Sequence, residues 1–129
     1  MAFLLDTHVV LWHTSKDPNL SQRAKEIVDA KSDLFFSVAS LWEIVIKISI
    51  GRLQLDCSLK SLLDRISVIR AEIIPIEIES LEIYLNLPLY PNHRDPFDRI
   101  LVAQAVDYSL DIVSRDDKFD LYPIQRVWT

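Results

Sequence analysis

Glycine and cysteine are almost absent from this sequence of 129 residues, which contains one of each. Average usage of roughly 7% would give about nine glycines, so the lone Gly51 excludes the glycine-rich loops that cradle phosphates. The single Cys57 cannot form an internal disulfide or a cysteine-based zinc site. Such sparing use of cysteine is typical of proteins from a reducing compartment, and we therefore expect a cytoplasmic protein.

Targeting and membrane-spanning segments are also missing. The apolar N-terminus has no basic leader and carries Asp6 in its middle, which does not fit a signal peptide. Glu43 and Lys47 interrupt the longest apolar stretch well short of the roughly 20 residues that cross a bilayer. We therefore expect no membrane partner.

The sequence does contain enough apolar residues for one buried core. Half of its residues are hydrophobic, which excludes intrinsic disorder, and the length predicts one domain over residues 1–129. The net charge is −5, from 14 Lys and Arg against 19 Asp and Glu. An acidic balance ordinarily argues against a nucleic-acid partner, because phosphates are neutralised by Lys and Arg.

Short β-branched or aromatic runs alternate with helical patterns along the chain. This alternation predicts an α/β fold with a parallel, Rossmann-like sheet of about five strands flanked by helices. The predicted strands are 2–5, 34–38, 72–75, 111–114 and 124–127, and Pro75 indicates that the third is short or lies at an edge. The predicted helices are 9–14, 22–30, 41–50, 59–69, 79–85 and 96–108.

Local signals mark where these helices begin and end. Residues that favour the N-cap position precede four of them, namely Ser21, Ser40, Ser58 and Asp95. Pro96 suits the first position of the last helix, and Gly51 suits a left-handed cap at the end of helix 41–50. Helix 41–50 is apolar almost all round, so we expect it to be buried.

Four acidic residues fall at or just after the predicted strand ends, and we call them the acidic quartet: Asp6, Glu43, Asp98 and Asp116. Each has an ordinary structural explanation when taken alone. Asp6 can cap a helix, Glu43 can close a capping box with Ser40 or pair with Lys47, Asp98 can complement the helix dipole with Asp95, and Asp116 can lie in a solvated turn.

Together, the quartet predicts a metal site. Ligands of open α/β sheets bind beyond the carboxyl ends of the strands, where all four acids are expected. Carboxylates gathered there repel one another unless cations lie among them. Oxygen ligands without His or Cys favour Mg²⁺, with Mn²⁺ as an alternative, over zinc. Such a site suits hydrolysis of a phosphodiester bond by a metal-activated water.

Several motifs, in order along nearly the whole chain, resemble the PIN domain and more narrowly the VapC-type toxins of bacterial toxin–antitoxin pairs. They are Phe3-Leu4-Leu5-Asp6-Thr7-His8, Ser40-Leu41-Trp42-Glu43-Ile44, Lys47 with Gly51, Asp95-Pro96-Phe97-Asp98-Arg99 followed by Ala103-Gln104-Ala105, and Ser114-Arg115-Asp116 with Phe119 and Tyr122. None of these motifs is specific to the family by itself, but their combination is.

The resemblance implies a Mg²⁺-dependent endoribonuclease of a type II toxin–antitoxin pair. Such toxins are usually homodimers, held inactive by a cognate antitoxin whose C-terminal segment lies along the active-site groove. The acidic quartet matches the family's catalytic, metal-binding acids. Asp98 matches the third of these acids because it precedes Arg99, and Asp95 is then the cap. Thr7 would orient a carboxylate or water, and Asp117 would be an outer helper.

The remaining candidates are basic or aromatic. Four basic residues near the acids are candidates for contacts with RNA phosphates, although solvated loops would carry similar charges: Arg94, Arg99, Arg115 and Lys118. His8 stands where many family members have Asn or Ser, and its role stays open between phosphate contact, proton shuttle and structure. His13 and His93 show no metal-ligand spacing. Trp12 and segment 85–90 fit either partner surfaces or core.

Other functions fit part of the pattern. A phosphoacceptor receiver domain, which is also a Mg²⁺-binding signalling domain, requires an acid pair after the first strand and an Asp ending the third, and both are missing. An aspartate-nucleophile phosphatase requires Asp-x-Asp where this chain has Asp6-Thr7-His8. A catalytically silent binding module on the PIN fold stays open, although the complete quartet argues against it.

Overall fold

Five parallel strands form the centre of the computed structural model, which describes all of residues 1–129. They are β1 (Phe3–Leu5), β2 (Leu34–Ser37), β3 (Glu72–Ile74), β4 (Asp111–Val113) and β5 (Arg126–Val127), in the spatial order β3-β2-β1-β4-β5. The predicted α/β class and all five predicted strands are confirmed, each strand being one or two residues shorter than expected. β3 lies at an edge, as Pro75 indicated.

Six α-helices flank the sheet: α1 (Thr7–Ser15), α2 (Gln22–Asp29), α3 (Val38–Ser49), α4 (Leu59–Val68), α5 (Ile78–Asn86) and α6 (Pro96–Tyr108). A short 3₁₀ helix, which the sequence pattern did not predict, covers Asp117–Leu121. None of the helices is both long and apolar enough to cross a membrane.

The predicted caps are confirmed except at α3. Ser21, Ser58 and Asp95 accept hydrogen bonds from the first-turn amides of their helices. The cap of α3 is Ser37, whose Oγ accepts from the Ala39 N–H at 3.0 Å, and the prediction of Ser40 as cap was wrong. β2 runs directly into α3 without a loop, so the last strand residue caps the helix and Ser40 lies inside the first turn. The capping box with Glu43 is therefore not formed.

Gly51 terminates α3 as expected. Its φ is +74°, a conformation that residues with a Cβ rarely adopt, and the Arg52 N–H reaches back to the Lys47 carbonyl at 2.8 Å. The lone glycine thus has a backbone role.

Helices cover both faces of the sheet, and successive side chains of β1 point to opposite faces. Phe3 and Leu5 pack with residues of α1, α2 and α4, whereas Leu4 packs with residues of α6 on the opposite face. α3 lies at the side and packs against α1 and α6. The prediction that α3 is buried was wrong, because only one side of it is covered and Trp42 stays 60% exposed.

The order of the strands in the sheet places the residues that follow β1 and β4 next to one another. The chain moves outward from β1 through β2 to β3 and then returns to place β4 on the other side of β1, so the order reverses between β1 and β4. Crevices that bind ligands in open α/β sheets form at this reversal, beyond the carboxyl ends of the strands. The side chains that follow β1 and β4 should therefore be the centre of a site.

The cap of α3 can be tested with two serines. Ser37→Ala removes the hydrogen bond to Ala39 and should lower the free energy of unfolding by about 1 kcal/mol. Ser40→Ala is the matched control and should change it by less than about 0.5 kcal/mol, because alanine favours the helix interior. Urea unfolding of both variants measures the difference. A larger loss for Ser40→Ala would contradict the observed helix start.

Candidate active site

The acidic quartet lines one cavity of about 290 Å³ at the carboxyl edge of the sheet. Asp95 also reaches this cavity, while Lys47 and Arg115 bring positive charge to its wall. The structure therefore brings together four acids that are up to 110 positions apart in the sequence. We refer to this space as the acidic cavity.

Asp6 is held from two sides at the end of β1. Its Oδ1 accepts a hydrogen bond from the Thr7 N–H at 2.7 Å, and its Oδ2 accepts from the Ser114 Oγ at 2.8 Å. Asp6 therefore caps α1 and lines the cavity at once, so its structural and functional explanations are compatible. Burial raises the pKa of Asp6, and the Ser114 hydrogen bond opposes this.

Ser114 connects the ends of the two central strands. It is fully buried directly after β4, and its Oγ also accepts from the Asp116 N–H at 3.0 Å. One hydroxyl thus fixes Asp6 of one strand end and the backbone of Asp116 at the other. Ser114 was not among the predicted site residues, although its position right after a strand was a signal.

Glu43 projects into the cavity from α3. Its Oε1 accepts from the Thr7 Oγ1 at 2.8 Å, so Thr7 orients a carboxylate as the resemblance implied. Its Oε2 lies 3.4 Å from the Lys47 Nζ, which is the predicted ion pair four residues along the helix. Glu43 is the member of the quartet with a cation close by.

Asp98 is reached by a chain of hydrogen bonds from the protein interior. Arg99 Nη1 donates to the Tyr122 hydroxyl at 3.1 Å, this hydroxyl is hydrogen-bonded to His93 Nδ1 at 2.7 Å, and His93 Nε2 is hydrogen-bonded to Asp98 Oδ2 at 3.3 Å. Burial lowers the pKa of His93, which favours the neutral ring. The chain orients the Asp98 carboxylate.

His93 is a site residue that the sequence analysis missed. Its nitrogen and the carboxylate oxygens of Asp98 and Asp116 lie within 4.8 Å of one another, a spacing that could hold a metal ion. His93 precedes α6 in a loop, and no ligand spacing in the sequence links it to the strand ends. Only the fold of this loop against Tyr122 and Phe119 brings it to the acids.

The four basic residues predicted to contact RNA phosphates divide into one that is buried and three that are exposed. Arg99 is only 4% exposed, and its guanidinium donates to the Pro88 carbonyl at 2.8 Å and stacks on the Tyr84 ring. It therefore holds the loop before α6 and is not accessible to RNA, contrary to the sequence-based expectation. Arg94, Arg115 and Lys118 are exposed, and Arg115 lines the acidic cavity.

Asp95, Asp117 and Asp116 differ in their hydrogen bonds and in whether they line the acidic cavity. Asp95 caps α6 through hydrogen bonds from the Phe97 and Asp98 amides at 2.8 and 3.4 Å. Asp117 is exposed at the start of the 3₁₀ helix and does not line the acidic cavity. Asp116 accepts from the Lys118 N–H at 3.0 Å and so caps that helix while it faces the cavity.

The cavity carries more negative charge than its own residues neutralise. Burial, together with the charges of Asp6, Asp95 and the other acids, raises the pKa of Asp98 to about 8 from its ordinary 3.8. Ser114 and Thr7, which donate hydrogen bonds to these carboxylates, carry no charge, and Lys47 and Arg115 are the two cations among five lining acids. Carboxylate oxygens are the donor set that Mg²⁺ and Mn²⁺ prefer, so the residues present fit such an ion.

Comparison with known proteins places the chain among structures of one fold. A model of the PIN domain matches residues 3–124. No curated protein matches the sequence. The solved structures described next are 20% identical to this chain or less, so their similarity shows a shared fold.

Three solved structures illustrate the likeness. VapBC2 from Rickettsia felis, bound to a fragment of promoter DNA, matches with a TM-score of 0.67 and 16% identity over 100% of both chains. FitAcB from Neisseria gonorrhoeae gives 0.69 and 20% over 96% of this chain and 95% of that one. A toxin–antitoxin complex from Klebsiella pneumoniae gives 0.66 and 20% over 98% and 96%.

The raised pKa of Asp98 predicts how stability changes with pH. Folded Asp98 keeps its proton up to about pH 8, whereas the unfolded chain releases it near 3.8, so the folded state binds more protons in between. The free energy of unfolding of the metal-free protein should therefore fall as pH rises through this window. Asp98→Asn cannot ionise and should be more stable than the parent at about pH 9, by more than about 1 kcal/mol.

Urea unfolding in EDTA across this pH range measures the effect. The exposed Asp64→Asn is the matched control and should follow the parent. Parallel curves for the parent and Asp98→Asn would contradict the proposed charge excess.

Proposed function

Because this chain belongs to the PIN domain family, we propose that it is a metal-dependent endoribonuclease that acts in the cytoplasm as the toxin of a type II toxin–antitoxin pair. The observation that carries this proposal is the convergence of the acidic quartet on one cavity at the reversal of the strand order. Membership of the family argues against a receiver domain. It leaves the catalytically silent binding module for experiment to decide.

The proposed cofactor is Mg²⁺, with Mn²⁺ as the alternative, held by the acidic quartet of Asp6, Glu43, Asp98 and Asp116, with a His93 ring nitrogen within 4.8 Å of the Asp98 and Asp116 oxygens. When bound, such a cation polarises a phosphodiester oxygen and lowers the pKa of a nearby water. Fixed carboxylates favour this because they need little rearrangement when the ion arrives. Ser114 fixes Asp6, and Thr7 fixes Glu43, through the hydrogen bonds described above.

The residues around the acids would position the RNA. Arg115 and Lys47 line the acidic cavity and offer charge to a phosphate near the carboxylates. Arg94 and Lys118 are exposed near the same edge and would contact phosphates farther along the strand. Arg99 drops out of this set because it is buried.

We infer two protein partners. Solved structures with this fold include toxin–antitoxin complexes, which supports an antitoxin that blocks the acidic cavity. Exposed apolar side chains support the expected homodimer: Trp42 on α3 is 60% exposed, Leu85 on α5 is 83% exposed, and Leu89 just beyond α5 is 85% exposed. Within segment 85–90, Leu85 and Leu89 are surface residues, whereas Leu87 and Tyr90 pack against the core, so each of its two interpretations holds for part of it.

Loss of a single carboxylate tests the catalytic proposal. Asp6→Asn should reduce cleavage of RNA by about 100-fold or more, because metal assistance is worth several kcal/mol and each 1.4 kcal/mol is about tenfold in rate. EDTA should abolish cleavage by the parent, and added Mg²⁺ should restore it. Labelled total RNA, incubated with purified protein, provides the measurement.

The exposed Asp64→Asn serves again as a matched loss of one negative charge and should cleave like the parent. Cleavage by Asp6→Asn at the parent's rate would rule out the quartet as the catalytic centre. Cleavage by neither protein in any metal would favour the silent binding module.

A further inference from the structure

A second cavity, of about 490 Å³, adjoins the acidic cavity. It lies between α1, α3 and the segment that precedes α4, and it shares His8, Trp12 and Lys47 with the acidic cavity as common lining residues. A chain-like ligand could therefore occupy both spaces at once. We call this space the side cavity.

Two aromatic rings stand where the cavities meet. His8 and Trp12 lie one helical turn apart on α1, with ring centroids 5.3 Å apart and planes tilted by 37°. His8 is exposed and Trp12 is half-buried, so neither belongs to the core. Trp128 packs on Trp12 at 6.1 Å and limits its movement. The fold thus places the rings of His8 and Trp12 in the lining of both cavities, beside the acids.

Positive charge flanks this aromatic pair on both sides. The guanidinium of Arg115 lies over the Trp12 ring, 6.0 Å from its centroid, and also lines the acidic cavity. Lys47 and Arg52 line the side cavity. Two acids, Asp17 and Asp56, line it as well. Asp56 pairs with Arg65 at 3.6 Å and Lys47 pairs with Glu43 at 3.4 Å, so Arg52 is the cation of this cavity that has no ion-pair partner. A ligand that presents a flat ring between two phosphates would match this pattern of aromatic and cationic groups.

We propose that His8 and Trp12 form a stacking site for a nucleobase of single-stranded RNA, next to the phosphodiester bond that lies among the acids. This proposal rests on the proposed ribonuclease function and adds a site that helps to select and orient the substrate. Every base has a face that can stack on an aromatic side chain, so single strands bind such surfaces with little sequence preference. An apolar side chain of a protein partner would need no flanking cations, and the charges therefore favour a nucleotide.

Stacking also gives His8 a role. The ring of His8 lies beside that of Trp12, and both His8 and Asp6, which directly follows β1, line the acidic cavity. A flat side chain is needed at that position, but a proton is not. Phenylalanine should therefore replace His8, whereas alanine should not.

Binding of a labelled short single-stranded RNA of mixed sequence tests the proposal, with Ca²⁺ in place of Mg²⁺ to slow cleavage. Trp12→Ala and His8→Ala should each weaken binding by about tenfold, the effect typical of losing one stacked base. Trp12→Phe and His8→Phe are the matched controls and should bind within about twofold of the parent. The same RNA backbone without bases should bind the parent and all four variants equally. In Mg²⁺, the alanine variants should show a raised KM for cleavage of RNA, with kcat nearly unchanged.

Two results would overturn the stacking site. One is unchanged RNA affinity in both alanine variants, including the case in which they lose binding to a co-purified protein partner instead. The other is an equal loss of affinity for RNA with and without bases. His8 is exposed, so His8→Ala decides the question even if Trp12→Ala unfolds. If the parent itself cleaves no RNA, the proposed function fails; if the parent cleaves and the alanine variants match it, only the stacking site fails.

Discussion

Repulsion among carboxylates at one edge of the sheet is the constraint on which the rest of this structure depends. Parallel strands all end on the same side, and the reversal of order between β1 and β4 opens a crevice there. The acids that follow those strands meet acids carried by α3 and α6. Burial, together with the convergence of these acids, raises the pKa of Asp98 to about 8, so at neutral pH the metal-free protein keeps a proton on this carboxyl group.

The surrounding hydrogen bonds hold the acids in place without removing this charge. Ser114 donates one neutral hydrogen bond to a carboxylate and Thr7 donates two, while His93 is hydrogen-bonded to Asp98. Neutral donors orient the oxygens yet leave their negative charge available to a divalent ion. This combination of fixed geometry and unbalanced charge distinguishes a binding site from a set of helix caps, even though Asp6 and Asp116 also serve as caps.

Local signals in the sequence were enough to predict the sheet, the edge position of β3 and the convergence of the quartet. Strand ends and caps depend on neighbouring residues, which explains this success. Contacts between distant segments could not be read in the same way. His93 reaches Asp98 only because its loop packs on Tyr122, and Arg99 is buried only because the loop at Pro88 folds over it. The start of α3 at Val38 rather than after Ser40 follows from the absence of a loop after β2.

Proton release during metal binding tests the central claim most directly. Titration calorimetry with Mn²⁺ in buffers of different ionisation enthalpy counts the protons that leave as the ion binds. Because the pKa of Asp98 is raised to about 8, binding at about pH 6.5 should release close to one proton, and binding at about pH 9.5 should release almost none. Absence of Mn²⁺ binding, or binding without proton release at the lower pH, would contradict the account.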